Sequence, residues 1–465
     1  MLVAIISHGA CFMQFELTKE LLSKTKEIIA SGDEKLILEL INDLHPADIS
    51  EIIFELEIDE ARVILHHLTA KGASEVISHL DDDVRLDILN SYTPLEIAEK
   101  FIEYLESDDA ADILQDLDDK KKEEVISYLE DLEQAGQIVD LLSYDDGSAG
   151  SLMGKELVKV YDNITVTEAV RQLRKQAGEL DNIYSIYVVD KMERLLGILS
   201  LKKLLVADQR SLLSSIIKTD ILSVKVSAKD VDVASMMQKY DLVAVPVIDE
   251  LGRLVGRITI DDVVDVIRDE AEKDYQLASG LSENVESSDS IWLITRARIP
   301  WLILGLIGGI FGARVIGVFE YDIQLYPEMA FFIPLVAAMG GNVGVQSSAI
   351  VVQGLANNSI GMDGILPKLL KEFSVALINA LVCAAIVLVY NLIFSDSLAL
   401  SYTVSLALMA VIIFAALFGT FIPLALQKYE IDPALATGPF ITTVNDILGL
   451  FIYFSIGRLM YGFLS

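Results

Sequence analysis

The stretch GPFITTVNDILGLFIYF, residues 438–454, has the apolar character of a membrane span with one carboxylate, Asp446, in its middle. A charge at the centre of a bilayer helix costs roughly 2.5–3.5 kcal/mol on insertion scales and ordinarily marks an ion path. Counted from Pro433, Asp446 lies 13 residues in. That is about 20 Å along a helix, which predicts a position near the bilayer midplane. Thr442, Thr443 and Asn445 precede it within one turn, so the polar atoms form a short patch. A packing carboxylate held by these hydroxyls is the alternative account. Against it, no Lys or Arg in the apolar segments lies at matching depth.

Four more apolar segments precede this one. Spans are predicted at 293–319, 328–356, 369–394, 399–426 and 433–462, each longer than the roughly 20 residues needed to cross. The second contains MGGNVGVQSSA, residues 339–349. Its glycines expose backbone carbonyls and let helices approach closely, and Asn342, Gln346, Ser347 and Ser348 add neutral oxygens. Small-residue runs also serve plain helix packing; with Asp446 at hand, a pore lining is the stronger reading. Loop charge predicts orientation. Arg296, Arg298, Lys368, Lys371 and Lys428 fall on one side, while the alternate loops carry only Glu320, Asp322, Glu328 and Asp396. By the positive-inside rule the N-terminal bulk is cytoplasmic and the C-terminus outside. Arg314 and Arg458, near the outer ends of spans 1 and 5, are expected to snorkel.

The chain has 465 residues and a net charge of −33, yet is 52% hydrophobic. These opposed values separate near residue 290. Residues 1–290 hold 29 Lys/Arg against 60 Asp/Glu, while 291–465 hold seven against nine. An acidic front excludes nucleic acid and anionic lipid as partners and suits cations; a merely solvating acidic surface gives the same composition. Cys11 and Cys383 are too few for a disulfide framework, which fits a reducing compartment. The opening MLVAIISHGACFMQF lacks a basic start and a small-residue cleavage site, so it is a poor signal peptide, and Met13 is the expected initiator.

Residues 16–145 read as short amphipathic helices. ADISEIIFEL, ASEVISHL and DDAADILQDL share small or acidic residues followed by apolar positions three and four apart. Such repeats stack into an α-solenoid-like unit. His45, His66, His67 and His79 lack metal-ligand spacing. Further on, IYVVDKMERLLGILSLKKLL (186–205) aligns without gaps on VPVIDELGRLVGRITIDDVV (245–264), 59 residues later. Each copy reads strand, Asp-led turn, strand, helix, with Asp190 and Asp249 opening the turns and Gly197 and Gly256 in the second strands. This resembles a tandem pair of CBS domains, regulatory modules that dimerise and bind adenine nucleotides or ions. DDVVDVIRDEAEKDYQLASG (261–280) predicts a long acidic helix, and LSENVESSDS (281–290) a polar linker.

The expected architecture is a multidomain membrane protein. It has an α-helical solenoid-like N domain (16–145), an α/β tandem CBS pair (146–260), an acidic linking helix (261–290) and an all-α five-helix transmembrane domain (291–465). That order, with GGNVGVQS (340–347) and DPALATGPFITTVNDILGL (432–450), resembles the MgtE family of magnesium channels and transporters. The resemblance implies a homodimer in the cell (inner) membrane that passes hydrated Mg²⁺ into the cytoplasm. Its single pore on the two-fold axis is lined by Asp446, Asn342, Gly341 and the backbone of Thr442. It also implies a cytosolic sensor that closes the pore on binding Mg²⁺. Matching positions are Glu75, Asp108, Asp112, Asp241, Asp262, Asp265, Glu270 and Asp274. Lys229 and Lys273 stand where the family pattern places or continues acids. The chemistry agrees: Mg²⁺ keeps its waters and is held by one or two carboxylates, whereas Zn²⁺ or Cu⁺ would want Cys or His. A proton- or sodium-coupled carrier with Asp446 as protonation relay is the alternative function. With no nucleophile–base pair in the spans, a membrane enzyme is not expected.

Overall fold

The computed structural model describes residues 15–464 apart from 43, 179, 181, 284, 286–288, 357–363, 396, 430 and 437; Cys11 and Met13 lie outside the described residues. Two compact units form, one ending at Ile267 and the other beginning at Arg268.

The first unit opens with short helices: α1 (Lys19–Ser31), α2 (Glu34–Ile41), α3 (Pro46–Phe54), α4 (Ile58–His67), α5 (Ala70–Ser78), α6 (Asp82–Asn90), α7 (Pro94–Lys100), α8 (Ser107–Gln115), α9 (Asp119–Tyr128) and α10 (Leu132–Leu141). Acidic and hydroxyl residues just ahead of several helices are caps. Thr18, Asp33, Thr69, Thr93, Asp118 and Asp131 each accept a backbone N–H of the first helical turn. The apolar residues three and four apart are the core. Ile49, Ile52 and Ile53, then Ala73, Val76 and Ile77, then Ala110, Ile113 and Leu114, are all at most 2% exposed.

The repeat at 186–205 and 245–264 folds as expected. One sheet holds β1 (Val158–Tyr161), β2 (Ile186–Val189) and β3 (Leu195–Leu199); the other holds β4 (Val224–Lys225), β5 (Ala244–Ile248) and β6 (Leu254–Thr259). In each, the first strand runs parallel to the middle one and the third antiparallel. Helices α11 (Val166–Gln176) and α12 (Leu201–Val206) belong to the first copy, and α13 (Asp230–Lys239) to the second. Asp190 accepts the backbone N–H groups of Met192 and Arg194, and Asp249 those of Leu251 and Arg253. The turns therefore form around buttressing carboxylates, as read. They also bring a position into the left-handed region: Gly252 at φ 78°, and its counterpart Glu193 at φ 62°. Glu193 is held there by Lys159 and Tyr161. The copies pair reciprocally, Leu195 N–H to Gly252 O and Leu254 N–H to Glu193 O. The second copy shares one continuous apolar core with the helical domain, while the first has its own. The linking helix is α14 (Ile260–Ser279), which covers the helical part, 261–280, of the predicted 261–290 segment.

In the second unit the spanning helices are α15 (Ile291–Val318), α17 (Ile333–Ala356, preceded by a 3₁₀ turn from Pro327), α18 (Ile365–Phe394), α19 (Leu398–Lys428) and α20 (Pro439–Leu464); the short α16 (Glu320–Leu325) joins the first two. Among the described residues, five helices are long and apolar enough to cross, with mean hydropathy of 1.5 or more. Half of the most apolar stretch of α19 is buried, against 11% for α15 and α18, so α19 is the central helix of the bundle. Two expectations change. Span 5 starts at Pro439 instead of Pro433, because Pro433–Ala436 forms a separate 3₁₀ turn and Gly438 takes φ 52°. Proline suits a helix start, where its missing N–H is not needed. Arg458 does not merely snorkel. Its Nε and Nη2 donate to Asp322 at 3.1 and 2.7 Å, and it stacks over Phe319. The loop between spans 1 and 2 thus clamps the far end of α20.

Candidate pore and metal-sensing sites

The glycines of α17 admit α20. A Cβ on Gly341 would lie 3.4 Å from Thr442 Cγ2 and 3.6 Å from Asp446 Oδ1. Gly341, Thr442 and Asp446 are therefore brought together as expected. Asn342 is next to Gly341 but points to the exposed surface of the single chain. With α20 starting at Pro439, Asp446 is seven residues into the helix, about 10 Å from its first residue and nearer that end than the sequence count implied.

Sequence reasoning missed Asn445 as a partner of the glycines. It is 1% exposed, packs on Gly344, and neither its Oδ1 nor its Nδ2 has a hydrogen-bond partner among the described residues. Gly419 of α19 in turn packs on the Gly344 carbonyl. Gly344 is thus where three helices meet without side-chain room. Gly344→Ala is expected to push α20 off α17, lowering the detergent melting temperature and Mg²⁺ uptake together. Gly462→Ala, with open space around it, should change neither; equal behaviour of the two variants would refute the packing argument. Glu372 was also missed: it accepts from the buried Ser347 hydroxyl at 2.7 Å, joining α18 to α17.

In the first unit an acidic cluster converges at the start of α8. Ligand oxygens of Glu106, Asp108 and Glu156 lie within 4.8 Å of one another. Local contacts hold Glu156 and Asp108 in place. Ser107 donates its N–H and hydroxyl to Glu156 at 2.8 and 3.0 Å. Asp108 packs its Oδ2 against Gly154, 2.6 Å from where a Cβ would stand, so a side chain there would displace the carboxylate. Asp262 joins them from α14, with Oδ2 accepting from the Thr259 N–H and hydroxyl at 2.9 and 2.7 Å. Burial pushes the Asp108 carboxyl well above the usual carboxylate range, with repulsion from Asp262 and Glu156 adding to it. Burial likewise raises Glu106 to about 7, though Arg257 opposes this, and Asp262 to about 6. Such a group of crowded, partly protonated carboxylates suits a hard divalent cation. Asp108 and Asp262 were expected here, and Asp112 lies on the same helix near Asp109 and Asp262. Glu106 and Glu156 were not expected. The signal available was the GKE triplet at 154–156, a glycine beside an acid in the segment between the domains.

The remaining positions lie elsewhere. Glu75 pairs with Lys71 at 3.9 Å on α5. Asp241 takes φ 51° just past α13, where it ends the helix. Asp265 is exposed on α14. Glu270 receives the Lys273 ammonium at 3.1 Å, so the departure at Lys273 supplies an internal counter-ion. Asp274 faces Asp432, which the sequence reading did not single out; burial first, then Asp432, raises the Asp274 carboxyl. The end of α14 abuts the start of α20: Gly438 lies against the Ala278 carbonyl, and Gly280 against Pro439.

Comparison with known proteins gives the family. Residues 333–456 match the MgtE family described as divalent cation transporter, 44–147 match the MgtE intracellular N domain, and 149–210 and 213–269 match CBS domains. The magnesium transporter MgtE of Thermus thermophilus is 32% identical over 450 residues, 96% of this chain and 99% of that protein. The magnesium transporter MgtE of Bacillus subtilis is 30% identical over 439 residues, 94% and 96% of the two chains. A crystal structure of the cytosolic domain of the Mg²⁺ channel MgtE in complex with ATP is 36% identical, covers 53% of this chain and 100% of that one, and superposes with a TM-score of 0.50. With its helical N domain, CBS pair and five apolar helices in that order, the chain belongs to the MgtE family of magnesium transporters.

Proposed function

We propose that this chain forms a homodimeric channel passing hydrated Mg²⁺ into the cytoplasm, and that cytosolic Mg²⁺ closes it through the acidic positions of the front. The observation that carries the reading is the meeting of Asp446, Thr442 and the side-chain-free Gly341 on the helices that present the family's membrane motifs. A second copy on a two-fold axis supplies a second Asp446, and the pair offers charge −2 with neutral oxygens around it. A cation that dehydrates reluctantly is selected well by such a site. In the front, Glu106, Asp108 and Glu156, with Asp262 beside them, would hold the regulatory cation, which supplies neutralising charge. Without it these carboxylates repel and the segments carrying them separate. Asp262 is on α14, and the far end of α14 touches the start of α20, so its movement reaches the helix bearing Asp446. Several weak sites summing their binding meet the roughly 5.5 kcal/mol that a full population shift requires. The CBS pair is the place for an adenine nucleotide, following the relative crystallised with ATP.

Purified dimer in a planar bilayer tests this. Mg²⁺ current that persists without a proton or sodium gradient supports a channel; uptake that stops when the gradient collapses favours the coupled carrier instead. Orientation has its own test. In a background with Cys11 and Cys383 replaced, Ser395→Cys should react with an impermeant thiol reagent added outside, and Gly364→Cys should not. The reverse pattern would invert the topology.

A further inference from the structure

Arg257 of β6 is 4% exposed and sits at the acidic cluster. Its backbone exchanges two hydrogen bonds with Gly154, N–H to O at 2.9 Å and O from N–H at 2.8 Å, which ties it to the segment carrying Glu156. Its Nη2 donates to Glu106 Oε2 at 2.8 Å, and its guanidinium lies 5.1 Å from the Tyr184 ring centroid. Nε and Nη1 have no hydrogen-bond partner among the described residues. Arginine binds carboxylate most firmly through two parallel N–H bonds. Here one N–H holds Glu106 while two buried donors are left over, an arrangement that favours exchange over architecture.

We propose that Arg257 is a tethered counter-ion that competes with the divalent cation for Glu106 and so sets the concentration at which the acidic cluster fills. The inference rests on the reading of Glu106, Asp108 and Glu156 as the residues that hold that cation. With no cation, the guanidinium offsets part of the charge of four converging carboxylates and steadies the front. When a cation is taken up, Glu106 surrenders its bond to Arg257, and the fixed positive charge opposes the incoming one. Both effects weaken metal binding. The cluster is thereby tuned to respond at high cation concentration, as a sensor of an abundant ion must.

The test is thermal melting of the full-length chain in detergent, titrated with MgCl₂ from an EDTA-stripped start, reading the Mg²⁺ midpoint of the melting shift. Arg257→Met keeps the apolar stem and removes the charge; its midpoint should fall roughly tenfold, as for the loss of one charge-assisted competitor. Arg257→Lys keeps the charge and its midpoint should stay closer to wild type than that of Arg257→Met. A chain with Arg257→Met that melts cooperatively only when Mg²⁺ is present also supports the proposal. An unchanged or raised midpoint in Arg257→Met, an equal change in Arg257→Lys, or an Arg257→Met chain folded in neither condition overturns it. Asp108→Asn, measured alongside, separates the two readings. Its midpoint should rise; if it does not move, the cluster is not the metal site and both readings fall. If it rises while Arg257→Met is unmoved, only the counter-ion role is lost.

Discussion

Asp446→Asn should reach the membrane in normal amount, dimerise, and fail to pass Mg²⁺ selectively. The substitution keeps shape and hydrogen bonding and removes one charge per subunit, two in the proposed dimeric pore. At an effective dielectric near 20, a carboxylate about 5 Å from a divalent ion interacts by about 7 kcal/mol before desolvation. If only about 1.4 kcal/mol of that survives, Mg²⁺ occupancy falls tenfold. Membrane insertion pulls the other way, since a neutral side chain inserts at least as well as a charged one. Abundance and flux should therefore separate, which a folding defect would not produce. Asp446→Glu should be intermediate: the charge remains, but one methylene further out in a site where Gly341 leaves just enough room. Unchanged Mg²⁺/Na⁺ selectivity in Asp446→Asn, measured by reversal potential, would make the carboxylate structural.

The second large effect is at the acidic cluster. Asp108→Asn combined with Asp262→Asn should raise the cytosolic Mg²⁺ needed for closure by tenfold or more, leaving the pore open at concentrations that shut wild type. Asp265→Asn with Glu270→Gln should do much less, because Asp265 is exposed and Glu270 already has Lys273. Equal effects of the two pairs would argue that total charge, and not this convergence, is sensed. The metal-free protein also has a pH signature. The folded pKa values of Glu106 and Asp262 are raised, to about 7 and about 6, by burial above all. Groups of that kind bind more protons folded than unfolded. Their stabilisation is full below the unfolded pKa near 4 and lost as pH rises through 6 to 7. The metal-free front should therefore melt lower at pH 8 than at pH 5, as followed by melting in EDTA. Saturating Mg²⁺ should flatten or reverse that slope, since a bound cation favours the deprotonated carboxylates. The double Asn variant should lose the Asp108 and Asp262 shares of the slope.

Much of this was legible in one dimension because it is local or periodic. Apolar residues three and four apart in ADISEIIFEL became the buried Ile49, Ile52 and Ile53. The 59-residue repeat became two sheets whose Asp190 and Asp249 turns are built alike. Hydropathy over twenty or more residues placed five helices among the described residues, the largest miss being the start of the last one. Asp446 announced itself by its cost in an apolar span, and Gly341 and Thr442 lie beside it. What only the tertiary structure decided are pairings between residues far apart in the chain. Glu106 and Glu156 are 50 positions apart and ordinary in their own windows; Ser107 and Gly154 make them one site. Arg257 lies 151 residues from Glu106, and Asp322 lies 136 from Arg458. The Asp432 that faces Asp274 sits beyond four intervening spans. Periodicity reports which face of an element is apolar and what it costs to bury a charge. It carries no information about which distant polar side chain will stand opposite, because that depends on how the elements dock, and docking is set by shape summed over the whole core.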